Sequence, residues 1–325
     1  MGRVSLLDTV RARYQSESTL SPEGEWWEYR QEKRVDKSSG AYVGTKTCFL
    51  DDPRARLWIR NETNLTVEAN LPKLVFGNNA RLLVDPSQAI QFLDGFIHDH
   101  VQGVADSVSN YGYSRIDYCH NFDVGRENIP HYIKAFSRLN LFRKKTLHND
   151  EETISWQSRG RMVRAYNKER EMFASKSPGS ELAKGLLRVE VEIRRSSQVL
   201  NRFLKSIGKA SLLLRDALNP DAAYEMLQRH VERLRFDVPI TSTTRAFEIL
   251  RRHFEGPRAV QLYGFYQALN SYGIARVKQM LPQSTYYYFR KQLKDVGLWL
   301  ACPEAEYLPP LVLPAKRELL ALCQN

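Results

Sequence analysis

Apolar and polar positions alternate in short runs as far as Arg194, and beyond Ser196 the apolar positions fall three and four residues apart. Alternation by twos puts successive side chains on opposite faces of a strand, whereas the wider spacing draws one stripe along a helix. Strands are therefore predicted at 57–59, 65–69, 113–122, 153–157, 162–168 and 187–194. In 113–122, Ile116, Tyr118, His120 and Phe122 share one face; Arg115, Asp117, Cys119 and Asn121 share the other. In 187–194, Leu187, Val189, Val191 and Ile193 oppose Arg188, Glu190, Glu192 and Arg194. Helices are predicted at 86–104, 128–139, 199–207 (stopped by Gly208), 221–234, 243–254, 257–270, 273–280 and 285–296. Ser284 stands where it would cap the last helix in front, and Gly297 where it would close it behind. Lys37-Ser38-Ser39-Gly40 reads as a loop, and Gly77-Asn78-Asn79 as a tight turn. Strands interrupted by helices without a regular βαβα rhythm imply an antiparallel α+β layer fold over 1–215, followed by a helical part over 216–325.

Composition narrows the class. The 325 residues are 42% hydrophobic and 26% charged. That balance fits a globular protein and excludes a disordered one. No apolar run approaches the roughly 20 residues that span a bilayer. Residues 1–14 carry Arg3, Asp8, Arg11 and Arg13 and no secretory apolar block. Cys48, Cys119, Cys302 and Cys323 have no paired spacing, so neither a zinc site nor a disulfide framework is expected. A reduced, cytoplasmic protein follows. Forty-eight Lys and Arg against 37 Asp and Glu give a net charge of +11. Such a charge points to a polyanionic partner, most commonly nucleic acid.

Three constellations carry candidate chemistry. Glu190 and Glu192 project side by side from one strand, and Asp117 joins them if its strand is a neighbour. Clustered carboxylates suit a hard divalent cation of the kind phosphoryl transfer uses. The plainer alternative is that they pair with Arg115, Arg188 and Arg194 on a solvated sheet face. Tyr166 shares an extended face with Arg164 and Lys168, two cations that favour a phenolate and hold a phosphate. A half-buried sheet tyrosine is the alternative, and chemistry alone does not choose Tyr166 among sixteen tyrosines. From Arg276 to Lys294 the pattern is helix, short turn, helix, the outline of a helix-turn-helix. Arg276, Lys278, Gln283, Ser284, Thr285, Tyr287, Arg290, Lys291 and Lys294 are its candidate contacts with phosphates or base edges; a plain basic helical hairpin is the alternative. Tyr286, Tyr287 and Tyr288 are rival sources of a nucleophile. His98 and His100 flank Asp99 where the surrounding apolar spacing is helical, so their imidazoles diverge and they read as surface polar residues and not as metal ligands.

Four short segments, in order, carry a resemblance. Asn70-Leu71-Pro72-Lys73 with Gly77-Asn78-Asn79, Ser114-Arg115-Ile116-Asp117, Ala165-Tyr166-Asn167-Lys168-Glu169-Arg170-Glu171, and Gly185-Leu186-Leu187-Arg188-Val189-Glu190 resemble the replication initiators of filamentous phages, the gene II protein family. The resemblance spans roughly 65–300 and is firmest over 113–195. It implies a nickase-like antiparallel-sheet catalytic domain over 1–215 and a helical DNA-binding domain over 216–325. It implies rolling-circle replication: nicking of one strand of a double-stranded phage or replicon origin, a free 3′-hydroxyl, and later cleavage and rejoining of the displaced single strand. The family's nucleophile falls on Tyr166, with Lys168 and Glu171 also matching; Asp117 and Glu190 match its metal-binding strands, and Glu192 falls where members vary. The initiators of rolling-circle plasmids place their tyrosine after the Glu strand, where Leu200 stands here, which disfavours that arrangement. Mg²⁺ or Mn²⁺ is the implied cofactor; a host helicase and polymerase are implied partners, in the bacterial cytoplasm, with no membrane. The rival expectation is a non-catalytic origin-binding or replication-control protein; a third is a cation-dependent nuclease that uses water.

Overall fold

The computed structural model describes residues 6–35, 42–81, 83, 85–139, 144–148, 152–209, 211–234, 239–298, 300–301, 307–316 and 318. The loop expected at 37–40, and Cys302 and Cys323, lie outside them; Cys48 and Cys119 are free thiols.

Ten strands form one sheet: β1 (Leu7–Gln15), β2 (Glu28–Val35), β3 (Tyr42–Asp51), β4 (Ala55–Arg60), β5 (Asn64–Asn70), β6 (Gly112–Asp123), β7 (Lys144–His148), β8 (Thr153–Ser158), β9 (Arg161–Asn167) and β10 (Leu186–Arg194). Their order is β2-β3-β4-β5-β1-β6-β10-β9-β8-β7, with every neighbouring pair antiparallel. The α+β class with a large antiparallel sheet follows directly. Helices are α1 (Leu71–Phe76), α2 (Ser87–His100), α3 (Ile129–Phe136), α4 (Lys168–Ala174), α5 (Gln198–Ser206), α6 (Leu214–Ala217), α7 (Pro220–Leu234), α8 (Thr243–His253), α9 (Gly256–Met280) and α10 (Gln283–Asp295).

Alternation decides which face is buried. Ile116, Tyr118, Val189, Val191, Val163, Ala165, Leu57 and Val67 all reach a single hydrophobic core. Helical stripes from α2, α3, α5 and α7 complete that core, through residues such as Leu93, Ile133, Leu200 and Met226. Two large polar side chains inside it reach backbone carbonyls, as buried tyrosine and tryptophan usually do. Tyr118 Oη donates to the Ala217 carbonyl at 2.7 Å and Trp156 Nε1 to the Leu139 carbonyl at 3.0 Å. Because the apolar alternates of the strands reach this core, their polar alternates lie on the opposite face of the sheet.

A second hydrophobic cluster, from Ala246 to Leu298, joins α8, α9 and α10. Sequence pattern sets α7 with the helical part that begins at 216, yet Ala222, Ala223, Met226, Leu227 and Val231 pack into the sheet's core. The two predicted helices 257–270 and 273–280 meet within α9 at Gly273, whose backbone (φ 78°, ψ 159°) breaks the helix. Two local expectations change. Ser284 lies inside α10, where Pro282 occupies the capping position and no side chain caps the helix. Lys168 is not on the strand: Asn167 accepts a hydrogen bond from the Arg170 amide, caps α4, and turns the chain one residue earlier. His98 and His100 end α2 as expected, with His100 Nδ1 bonded to the Phe96 carbonyl.

Candidate active site

Three adjacent strands deliver the site. β6 and β10 pair so that Asp117 stands opposite Glu192, and β10 and β9 pair so that Glu190 stands opposite Arg164 and Arg188 opposite Tyr166. Their apolar alternates are held in the core, so the charged residues must share the opposite face. This face is nonetheless covered. Asp117, Glu190 and Glu192 are 1%, 2% and 3% exposed, Arg188 and Lys168 are fully buried, and Tyr166 is 7% exposed.

Each carboxylate meets a guanidinium. Arg115 Nε donates to Asp117 at 2.9 Å and its guanidinium reaches Glu192 at 3.4 Å. Arg194 donates to Glu192 at 2.8 Å, and Arg164 pairs with Glu190. The Arg115 and Arg194 pairs are those of the plainer reading, but the setting is buried where that reading supposed a solvated face. Tyr166 Oη donates to Glu190 Oε2 at 3.0 Å. Lys168 sits beneath the phenol, 5.8 Å from its ring centre, and pairs with Glu171 at 2.5 Å. The resemblance supplied Glu171; its observed place is beside Lys168.

Burial sets the electrostatics. It lifts the Asp117 carboxyl well above the usual range; Arg115 opposes this, while Glu190 and Glu192 add to it. Burial alone would raise Glu190 too, but the Arg164 charge and hydrogen bond, with Arg188, hold it below its ordinary value. Burial, then the Glu190 charge, push the Tyr166 phenol well up. Burial and Arg188 lower the Lys168 ammonium. With its proton committed to an ionised Glu190, Tyr166 stands in its neutral form.

Arg188, expected beside the sheet carboxylates, is held instead by a supporting network. Arg188 Nε donates to Asn121 at 2.7 Å, its Nη2 to the Asn79 carbonyl at 2.5 Å, and its Nη1 lies 3.5 Å from Asp8. Asn70 donates to Asp8 at 2.8 Å while accepting from the Lys73 amide to cap α1. The motif positions Asn70 and Asn79 are thus the posts of a buried polar network under Tyr166. Asp8 is invisible to any local pattern, because it arrives from the far N-terminal strand.

The cluster floors a cleft of about 1020 Å³, lined by Tyr166, Glu190, Asp117 and Arg164 and also by Arg54, Arg56, Lys73 and Arg170. An all-oxygen donor set of Asp117, Glu190 and Glu192 has the chemistry for Mg²⁺ or Mn²⁺. Among the described residues, no three His, Cys, Asp or Glu side chains are grouped so as to hold one metal ion.

The expected DNA contacts are set apart from this cleft and none of them lines it. Arg276, Lys278, Ser284, Tyr287, Lys291 and Lys294 are exposed; Thr285 and Arg290 are half-buried. Ser284, Tyr287, Lys291 and Lys294 form one stripe of α10, opposite the buried Tyr286 and Leu293. Lys278 lies 5.4 Å from the Tyr287 ring, so the last turn of α9 joins the same surface. Of the rival nucleophiles, Tyr286 is buried in the helical cluster and no carboxylate hydrogen bond is seen at Tyr287 or Tyr288 among the described residues.

No family model matches the chain, and no curated protein matches it. Among the described residues no helix is long and apolar enough to cross a membrane.

Proposed function

We propose that the chain is a rolling-circle replication initiator that nicks one strand of a double-stranded origin with Tyr166 and later cuts and rejoins the displaced strand. One observation carries this reading: Tyr166, Asp117 and Glu190, all buried, stand together with Arg164 at the floor of a cleft. Buried ion pairs add little to stability, since desolvation offsets much of their attraction. A cluster of this density is therefore hard to explain as scaffolding.

The chemistry follows from the contacts. Tyr166 Oη bonds to the scissile phosphorus, and the bond from phosphorus to the 3′-oxygen breaks. The products are a 5′-phosphotyrosyl link and a 3′-hydroxyl. The phenolic proton passes first to Glu190 Oε2, its partner at 3.0 Å. Arg164, whose guanidinium already spans toward this point, would hold a non-bridging phosphate oxygen, and Lys168 beneath the ring favours developing phenolate. Asp117 and Glu190, with Glu192, are the residues that would hold a divalent cation, which supplies positive charge to polarise the phosphate. The phosphotyrosyl bond conserves the phosphodiester's energy, so attack by a 3′-hydroxyl reseals the strand without ATP. The exposed cations of α9 and α10 would grip duplex backbone as a helix-turn-helix does.

A second reading has its own support. Every carboxylate of the cluster already has an arginine partner, which suits a non-catalytic origin-binding or replication-control protein that uses only α9 and α10. Incubating the full chain and Mg²⁺ with supercoiled plasmids carrying the DNA around its gene separates the two. Nicking with protein left on the DNA after denaturation supports the proposal; tight binding without nicking favours the second reading, and nicking without an adduct means that water is the nucleophile.

A further inference from the structure

The polar face of the sheet does not end at the cleft. It continues over β1, β5, β4 and β3 to the edge strand β2, where charged and aromatic side chains stand open. Phe49 and Trp58 are register partners on β3 and β4, with ring centres 6.2 Å apart and planes 24° from parallel. Arg11 lies 5.7 Å over the Trp58 ring, and Arg30 lies 5.2 Å over Phe49. Both rings are half-exposed. Among the side chains described on this face, the acidic Glu28, Asp51 and Glu68 each pair with one arginine: Arg30, Arg56 and Arg11. Arg13 and Arg60, both exposed, are left without an acidic partner among the described residues.

We propose that this half of the sheet binds single-stranded DNA, stacking unpaired bases on Phe49 and Trp58 and holding phosphates with Arg13 and Arg60. Aromatic rings flanked by arginines suit single strands, because every unpaired base offers a π-face and the guanidinium planes stack as well. A duplex hides those faces, so it gains only the phosphate contacts. The platform also leads somewhere. Arg56, two residues from Trp58 on the same face, lines the cleft together with Glu68, Arg115 and Tyr166. β4 and β9 are five strand spacings apart in the sheet order. At roughly 4.8 Å for each spacing this is about 24 Å. A strand lying across the sheet passes from the platform to the tyrosine, and this path rests on the nicking reading; the binding itself does not.

The test is fluorescence anisotropy of the full chain with a labelled oligothymidylate and with a mixed-sequence duplex of equal length, across a salt series. The double variant Phe49→Ala/Trp58→Ala is expected to weaken oligothymidylate binding about tenfold or more and to leave duplex binding within about twofold, since each stacked base contributes about 1–3 kcal/mol. Arg13→Ala/Arg60→Ala, at exposed positions with little bearing on folding, should flatten the single-strand salt slope by about 1.4, about 0.7 per contact. Unchanged oligothymidylate binding in the arginine variant overturns the proposal even where the aromatic variant fails to fold. Equal losses on single strand and duplex overturn it as well. A change in self-association with DNA affinity intact would give the face to a second copy of the chain, and also overturns it. Binding is read without cleavage, so absence of a covalent adduct would remove the nicking reading and leave this test standing.

Discussion

The two halves of the polar sheet face obey the same alternation and end in opposite states. Over β6, β10 and β9 the charges are buried beneath Tyr166, with Asp117, Glu190 and Arg188 at 2% exposure or less. Over β2 to β4 they stand open, with Arg56 half-exposed at 53% and Arg30 at 67%. Cover makes the difference: α4, and the turn from Gly77 to Ala80 that accepts Arg188 and Asn121, close over the inner half. Charge in a low-dielectric setting is costly to keep and strong when a substrate arrives. Charge in water costs little, and grips without discriminating. On the proposed reading, one sheet thus offers a place for chemistry and a place for capture.

Substitutions should separate the halves, and the steepest effect falls on activity. Tyr166→Phe is expected to abolish nicking, a loss of at least about 10³-fold if the phenol is the nucleophile, with duplex affinity retained in a gel-shift assay; surviving nicking would move the chemistry to another residue. Arg188→Leu should be the most destabilising single change, by about 3–5 kcal/mol in urea melts. It strands buried Asp8 and orphans the acceptors at Asn79 and Asn121. A loss below about 1 kcal/mol would mean that the network under Tyr166 is not a structural unit.

Asp117→Asn is the discriminating case. Because folding raises the Asp117 value, the folded state binds a proton that the unfolded state has released, so stability falls as pH rises from the ordinary carboxylate range through the raised folded value. At neutral pH the neutral amide should therefore stabilise the fold, read as a higher Tm, and lose divalent-metal-dependent nicking. A destabilised Asn variant at pH 7, with no difference near pH 4, would contradict this account. The smallest change belongs to the open half, where Arg56 has an exposed pair with Asp51. Arg56→Ala should alter stability by less than about 0.5 kcal/mol.

Much of this is legible because burial on one face writes a period of two into the chain. The strands carrying Asp117, Tyr166 and Glu190 lie where the alternation places them, and the register then brings the three together. β1 is not legible: its apolar positions Leu7, Val10 and Ala12 are thrown out of step by irregular pairing with β6 between Leu7 and Val10. β2 has no such signal, since an edge strand with Tyr29 and Arg30 in solvent has little to bury. Asp8 could not be assigned because its partner, Arg188, is remote in sequence. Lys168 reads as a strand residue in the pattern because Asn167, the last residue of its strand, also caps a helix.

The central claim is that Tyr166 itself becomes joined to DNA, and its position makes this directly measurable. Arg164 and Lys168 are tryptic sites, so complete digestion of an isolated adduct releases Ala165-Tyr166-Asn167-Lys168. Mass spectrometry after nuclease trimming should find a 5′-nucleotide phosphate on that peptide. The same mass on the peptide from Gln279 to Arg290, which carries Tyr286, Tyr287 and Tyr288, would contradict the assignment, as would nicked DNA with no modified peptide at all.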